Sequence, residues 1–192
     1  MKKPAAKVPK KNPTTKARSR ASAPASEEGI ILAQKLRPLI AEQPFFKELE
    51  PQYLQLLAES ALELYFEPDE TIFKEGGPAN RFYLILEGKV VLEVEAEVPG
   101  MVIPLVTLGP GDDLGWSWLF PPHSLHFSAR AVTPTRTIFF YGPRLREQGE
   151  QDHELGYELL KRSARVMVSN LWTMQQRLLE SADLKKLANL SS

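Results

Sequence analysis

The sequence predicts a mainly β domain with flanking helices, and three observations carry that prediction. Between residues 65 and 141, short runs rich in β-branched and aromatic side chains alternate with turns that carry Gly and Pro. Ahead of them, apolar residues recur at three- and four-residue intervals, the spacing of amphipathic helices. From Gln151 to Ser181 that spacing returns with no proline to interrupt it.

Length and charge narrow the choice of class. A chain of 192 residues holds one domain with a substantial core. The absence of cysteine removes disulfides, thiolate metal sites and Cys nucleophiles. No apolar run approaches the length of a membrane span, and no apolar signal core follows the N-terminal lysines, so the expectation is a cytoplasmic protein. The formal net charge of zero hides an asymmetry. Eight of the 24 basic residues lie in 1–26, which has no acid, leaving 16 basic against 24 acidic residues and a net charge of −8 over 27–192. That balance argues against a nucleic-acid surface on the folded part.

Residues 1–27 read as a disordered basic tail, since Lys, Pro, Ala, Ser and Thr leave little apolar surface to offset the entropy of ordering. Either the tail is a solubilising extension or residues 1–26 make weak polyanion contacts without sequence specificity. Residues 28–64 form the N-terminal helices, with Leu54, Leu57, Ala58, Ala61 and Leu62 as the stripe of the second. A β-rich unit spans 65–148. In it Thr71–Phe73 is a strand and Gly76-Gly77-Pro78 a structural reversal. Phe82–Leu86 and Val90–Val94 read as a hairpin joined at Gly88, and Met101–Leu108 as an edge or bulged strand because Pro104 lacks an N–H. Residues 149–182 form a long C-terminal helix with Asp152 at its start, and 183–192 a short amphipathic tail. A helix of about 30 residues is about 45 Å long, more than a small β domain can cover.

The residues FEPDETIFKEGGPANRFYLILEGKVVLEV (66–94), GPGDDLG (109–115) and ARAVTPT (129–135) resemble the cyclic nucleotide-binding domain family of catabolite-activator and Fnr type. The likeness runs from Phe45 to Glu180. It implies an antiparallel double-stranded β-helix, a jelly-roll-like β-roll, that holds a phosphate-binding cassette beneath the C-terminal helix. It places the ligand pocket at Leu114, Gly115, Trp116, Ser117, Trp118, Leu125, His126, Phe127, Ser128 and Arg130. It also implies a homodimer through the C-terminal helix, with Leu155, Leu159, Val166, Leu171, Met174 and Leu178 as its seam. Many bacterial relatives continue into a DNA-reading helix-turn-helix. None follows Ser192, so the expected output is a partner protein or a change of oligomer.

This cassette departs from the family pattern. The family's Gly-Glu pair, whose glutamate holds the ribose, is matched by Gly115 and Trp116. Leu125 or His126 stands where the phosphate arginine belongs. A buried phosphodiester needs a permanently charged, bidentate partner, which indole, leucine and imidazole do not supply. The expectation is a sensory domain that does not hold cAMP or cGMP tightly and takes another small ligand or none. Two alternatives stand beside it: a ligand-independent protein-interaction module, and a genuine cyclic nucleotide regulator in which Arg130 takes the phosphate. In that last case Arg130 shares a strand face with Ser128 and Val132, opposite Ala129 and Ala131.

The remaining constellations are weaker. Trp116 and Trp118 face one side in an extended segment and diverge in a helical turn; they either stack on a planar ligand or fill the pocket and core themselves. Glu93, Glu95 and Glu97 share an exposed strand face and read as solvated, so no catalytic residue is assigned and the chain is not expected to be an enzyme. His123 and His126 form an H-x-x-H pair that would suit a metal in a cupin-like enzyme. With His153 the only other histidine and no cysteine, no metal site is assigned.

Overall fold

The computed structural model describes residues 27–96 and 100–190, the side chains of Glu27, Met174, Arg177, Leu178 and 180–190 excepted. The basic arm 1–26 and the Glu97–Val98 end of the acidic strand lie outside the described residues.

Two antiparallel four-stranded sheets form the body. β1 (Leu62–Phe66), β8 (Thr135–Tyr141), β3 (Arg81–Glu87) and β6 (Asp113–Leu114) make the first, in the spatial order β1-β8-β3-β6. β2 (Thr71–Phe73), β7 (Ser128–Ala131), β4 (Val90–Glu95) and β5 (Val102–Leu108) make the second, in the order β2-β7-β4-β5. This is the β-roll expected from the motifs. One expectation fails: β3 and β4 are not a hairpin. The chain turns a corner at Gly88 and carries β4 into the other sheet, where it pairs with β5 and β7. A short glycine turn between apolar runs does not distinguish a hairpin from a corner, because both need the same reversal.

β3 shows why its sequence is apolar throughout. Phe82 and Leu84 point into one core, shared with the helices, while Tyr83 and Ile85 point into a second core between the sheets. With both faces covered, the usual alternation of polar and apolar residues disappears. In the first core Phe45, Phe46, Phe82, Phe140 and Trp118 form a continuous aromatic cluster, with ring centroids 4.8–6.4 Å apart. In the second, Ala129 and Ala131 of β7 are fully buried. β5 is an edge strand of the second sheet, and the register of its partner shifts between Leu92 and Glu93, opposite Pro104, as expected.

The helices lie against the first sheet. α1 (Glu27–Glu42) buries Ala33, Leu36 and Ile40 at three- and four-residue spacing, and α2 (Pro51–Ser60) buries Tyr53, Leu54, Leu57 and Ala58. Helix α2 stops before the stripe ends. Ala61 is extended, and Leu62 begins β1 because it pairs with Phe139 of β8. Leu62, Leu64 and Phe66 fit a period of two as well as the helical stripe fits 3.6, and the sheet partner decides between them.

The C-terminal helical region is also two elements. α3 (Gly142–Gln151) ends at Asp152, whose backbone is extended, and α4 (His153–Leu190) starts afresh. Asp152 caps α4: its Oδ1 accepts hydrogen bonds from the N–H groups of Glu154 (3.0 Å) and Leu155 (3.1 Å) and from the Tyr53 hydroxyl (3.3 Å). α3 and α4 meet where Gly149 faces Gly156. A Cβ on Gly156 would lie 2.5 Å from the Gly149 carbonyl oxygen, so the two backbones touch. α4 has 38 residues and runs through the segment expected to be a separate tail.

Candidate functional site

The cassette begins with a turn fixed by its own side chain: Asp112 Oδ2 accepts the Gly109 N–H at 2.8 Å. The two-residue strand β6 then pairs with Tyr83 and Leu84 of β3, and the chain reverses at Gly115. Gly115 has φ +82, and a Cβ there would sit 2.4 Å from the Arg81 carbonyl oxygen. Only glycine meets both conditions, which explains why the Gly of the family pair is kept although its acidic neighbour is not.

After Gly115 a 3₁₀ turn over Trp116–Trp118 sends the two indoles apart. Trp118 is fully buried in the aromatic core, and its carbonyl accepts a hydrogen bond from Arg146 of α3. Trp118 is therefore structural. Trp116 instead faces a cavity of about 570 Å³ and stacks on His126, with centroids 6.4 Å apart and planes 10° apart. His126 Nδ1 is 3.4 Å from Ser117 Oγ. The tryptophans neither plug the hollow nor pair across it.

The second sheet supplies the cavity floor through Phe73, Leu92, Val106 and Leu108. The cassette supplies Asp113, Leu114, Gly115, Trp116, Ser117, Phe120, Leu125, His126 and Phe127. α4 supplies the roof: Met167, Asn170, Leu171 and Thr173. Seven of the expected pocket residues thus converge, namely Leu114, Gly115, Trp116, Ser117, Leu125, His126 and Phe127. Leu125 is pinned there by its backbone, which exchanges hydrogen bonds with Gly76 N (2.8 Å) and Gly77 O (2.9 Å).

Trp118, Ser128 and Arg130 do not line the cavity. Ser128 Oγ accepts the Glu75 N–H on the outer side. Arg130 points away because its neighbours Ala129 and Ala131 face the core. Its guanidinium makes a two-pronged ion pair with Glu93 (3.1 and 3.3 Å) and a third contact with Asp69 (2.9 Å). The expectation that Arg130 takes a phosphate is corrected by that geometry: its donors are already directed at two carboxylates on the opposite face of β7 from the hollow. His123 and His126 are not joined by further ligands, and among the described residues no group of three or more His, Cys, Asp or Glu could hold a metal.

Sequence reasoning missed Asp113. It borders the cavity, its Oδ2 is buried without a hydrogen-bond partner, and burial, with Asp112 beside it, pushes its carboxyl up to about 7. The signal was the doubled acid of GPGDDLG, in which Asp112 caps the turn and leaves Asp113 to start a strand between two apolar layers. Also missed was Arg162 of α4, buried among apolar neighbours. It donates to the carbonyls of Phe45 (3.3 Å) and Lys47 (2.9 Å) and pairs with Glu158 (3.0 Å), fastening α4 to the 3₁₀ turn Pro44–Phe46.

The expected dimer seam also changes. Leu155 and Leu159 are fully buried in the chain's own core and Val166 packs against it, so these residues are not free for a partner. Leu171 touches the cavity rim but is 64% exposed and so stays open to a partner, and the side chains of Met174 and Leu178 lie outside the described residues. Beside Leu171, the exposed apolar face of α4 is made of residues outside the expected seam. Leu160, Val168 and Trp172 follow a four-residue spacing that includes Ala164, with Tyr157 and Leu179 nearby, and Trp172 is 67% exposed.

A β-roll with a hollow under its cassette and a helical roof over it defines an effector-domain architecture. The comparisons agree: residues 63–152 match the family model described as the cyclic nucleotide-binding domain. The chain belongs to that family. A Geobacter metallireducens protein described as cyclic nucleotide-binding is 31% identical, with a TM-score of 0.63, over 72% of this chain and 97% of that one. The CRP-like cAMP-activated global transcriptional regulator of Mycobacterium tuberculosis is 29% identical over 127 residues, 66% of this chain and 56% of that regulator. The chain therefore spans little more than half the length of that curated relative. The regulatory subunit of a cAMP-independent protein kinase A from Trypanosoma brucei shares the fold alone, at 23% identity and a TM-score of 0.61, over 79% of this chain and 53% of that subunit. No helix among the described residues is long and apolar enough to cross a membrane.

Proposed function

We propose that this chain is a cytoplasmic regulatory domain, not an enzyme, whose cavity has lost the chemistry for cAMP and cGMP and whose output is the packing of α4. One observation carries the reading. Trp116 stands where the resemblance expects the ribose hook, Leu125 or His126 where it expects the phosphate arginine, and all three line the hollow, with Trp116 and His126 stacked, while Arg130 is committed to Glu93 and Asp69. A cyclic phosphate entering the hollow would give up water for an apolar wall, a loss of several kcal/mol for an unpaired buried charge. The mycobacterial relative is named as cAMP-activated, so a chain of related sequence responds to that ligand.

Output through α4 follows from its double role. Met167 and Leu171 roof the cavity, and Leu160, Val168 and Trp172 present an apolar face on the outside. A second copy of the chain is the occupant we assign to that face: it can offer the same self-complementary stripe, and at about 57 Å the helix is long enough for a parallel pairing. A ligand moves such an equilibrium only by binding one arrangement more tightly than the other.

Calorimetric titration with cAMP and cGMP tests the first half. No binding at micromolar concentration is expected from the parent chain, and Trp116→Glu combined with His126→Arg should restore it. Micromolar binding of either nucleotide to the parent overturns the reading.

A further inference from the structure

We propose that the cavity beneath α4 is a binding site for a hydrophobic, ring-bearing small molecule without an anionic group, positioned by an N–H donor, preferentially an ammonium, on the carboxyl of Asp113. The proposal rests on the ligand-responsive reading above and names the ligand class that reading leaves open.

Size comes first. A hollow of about 570 Å³ lies within the range of pockets that take compact organic ligands of one to three rings. The walls come second. Phe73, Trp116, Phe120 and Phe127 present ring faces and edges, and Leu92 and Leu108 close the floor. Such a surface rewards flat apolar groups through area and ring contacts rather than hydrogen bonds.

Charge decides the class. No Lys or Arg occurs among the described residues lining the cavity, and its one carboxylate side chain is Asp113. In a low-dielectric wall a single carboxylate repels an anion and attracts a cation far more strongly than on the surface. His126, the other titratable group on the wall, has Nδ1 engaged at Ser117 and its ring against Trp116. The Asp113 carboxyl is also short of partners: Oδ2 has none, Asp112 beside it has the same sign, and Arg162 and Arg165 line a neighbouring hollow that Asp113 also borders, without hydrogen-bonding to it. A ligand N–H would supply what the protein leaves missing, and an ammonium would add charge pairing. Because α4 forms the roof, a ligand held between Asp113 and Leu171 touches both the sheet body and the helix, the geometry a differential effector requires.

Three probes of one shape separate the possibilities: 1-naphthylmethylamine, 1-naphthalenemethanol and 1-naphthoate, titrated calorimetrically into the full chain at neutral pH. The amine should bind tightest and the alcohol more weakly, with the carboxylate at least about tenfold weaker than the amine. Asp113→Asn, which keeps the shape of the side chain, should remove about tenfold of the amine's affinity and leave the alcohol within about twofold. Naphthoate binding as tightly as the alcohol, or no binding by any of the three at millimolar concentration, overturns the proposal. So does an amine affinity untouched by Asp113→Asn. These failures differ from failure of the broader reading, which is marked by micromolar cAMP or cGMP binding to the parent chain.

Discussion

Asp113→Asn is also the sharpest test of the site's electrostatics without any ligand. Burial and Asp112 raise the Asp113 carboxyl from its ordinary 3.8 to about 7 in the folded chain. The native state therefore keeps this proton to a higher pH than the unfolded state does. Stability tied to that proton is fully present below about 4 and is lost as pH rises to about 7. A gap of about three pH units corresponds to a ceiling of about 4 kcal/mol, and solvent entering the cavity reduces the expected effect to about 2 kcal/mol. Asparagine does not titrate, so the variant should match the parent near pH 4 and exceed it at pH 8. For a domain of this size that gain is about 4–8 °C in Tm. Differential scanning fluorimetry of both proteins from pH 4 to 8 measures it. A Tm difference that stays constant over that range would refute the claim that this carboxyl is buried and unpaired.

Other perturbations address the frame. Gly115→Ala forces a Cβ to within 2.4 Å of the Arg81 carbonyl at φ +82, so it should cost about 3 kcal/mol or more and lower Tm by at least 6 °C or so. Circular dichroism melts would show it, and an unchanged Tm would contradict the cassette geometry. Two arginines should behave oppositely: Arg162→Ala leaves the Phe45 and Lys47 carbonyls without their donor, while Glu158 keeps Lys161, and should cost about 3 kcal/mol, whereas Arg130→Ala on the outer face should cost about 1 kcal/mol or less. Urea melts of the pair rank them. Val168→Glu with Trp172→Glu should shift sedimentation velocity toward the monomer without lowering Tm, since both side chains are exposed in the single chain.

Legibility in the sequence tracked how local each determinant was. Most strands of the roll and the edge character of β5 were readable, because each depends on period-two alternation or on a missing N–H within a few residues, whereas Arg130, expected at the pocket, lies outside it. Capping by Asp152 was readable for the same reason, although the break it marks was not: α3 and α4 are joined by one extended residue with no proline or glycine at the break. Leu62 was misassigned because its neighbours fit two periods and only its partner on β8 selects one. The corner at Gly88 was lost likewise, since sheet membership is a property of distant pairings.

The pocket divided along the same line. Its cassette wall follows from contiguous residues, whereas Phe73, Leu92, Met167 and Asn170 arrive from three other elements. α4 has apolar residues on more than one side, and spacing alone cannot tell which side the body takes. Here Leu155 and Leu159 go inward and Trp172 outward.

The contact between Gly149 and Gly156 governs more than the joint it occupies. α4 behaves as a cantilever clamped at one end by that backbone-to-backbone seat and at Arg162, and its free span carries the ceiling of the hollow on its underside and the bare apolar edge on its upper side. A single methyl group at the seat would change the elevation of the whole beam, and a molecule wedged beneath it would do the same from the other end. On the proposed reading, input and output would be two sides of one rod seated on the space left by two absent side chains.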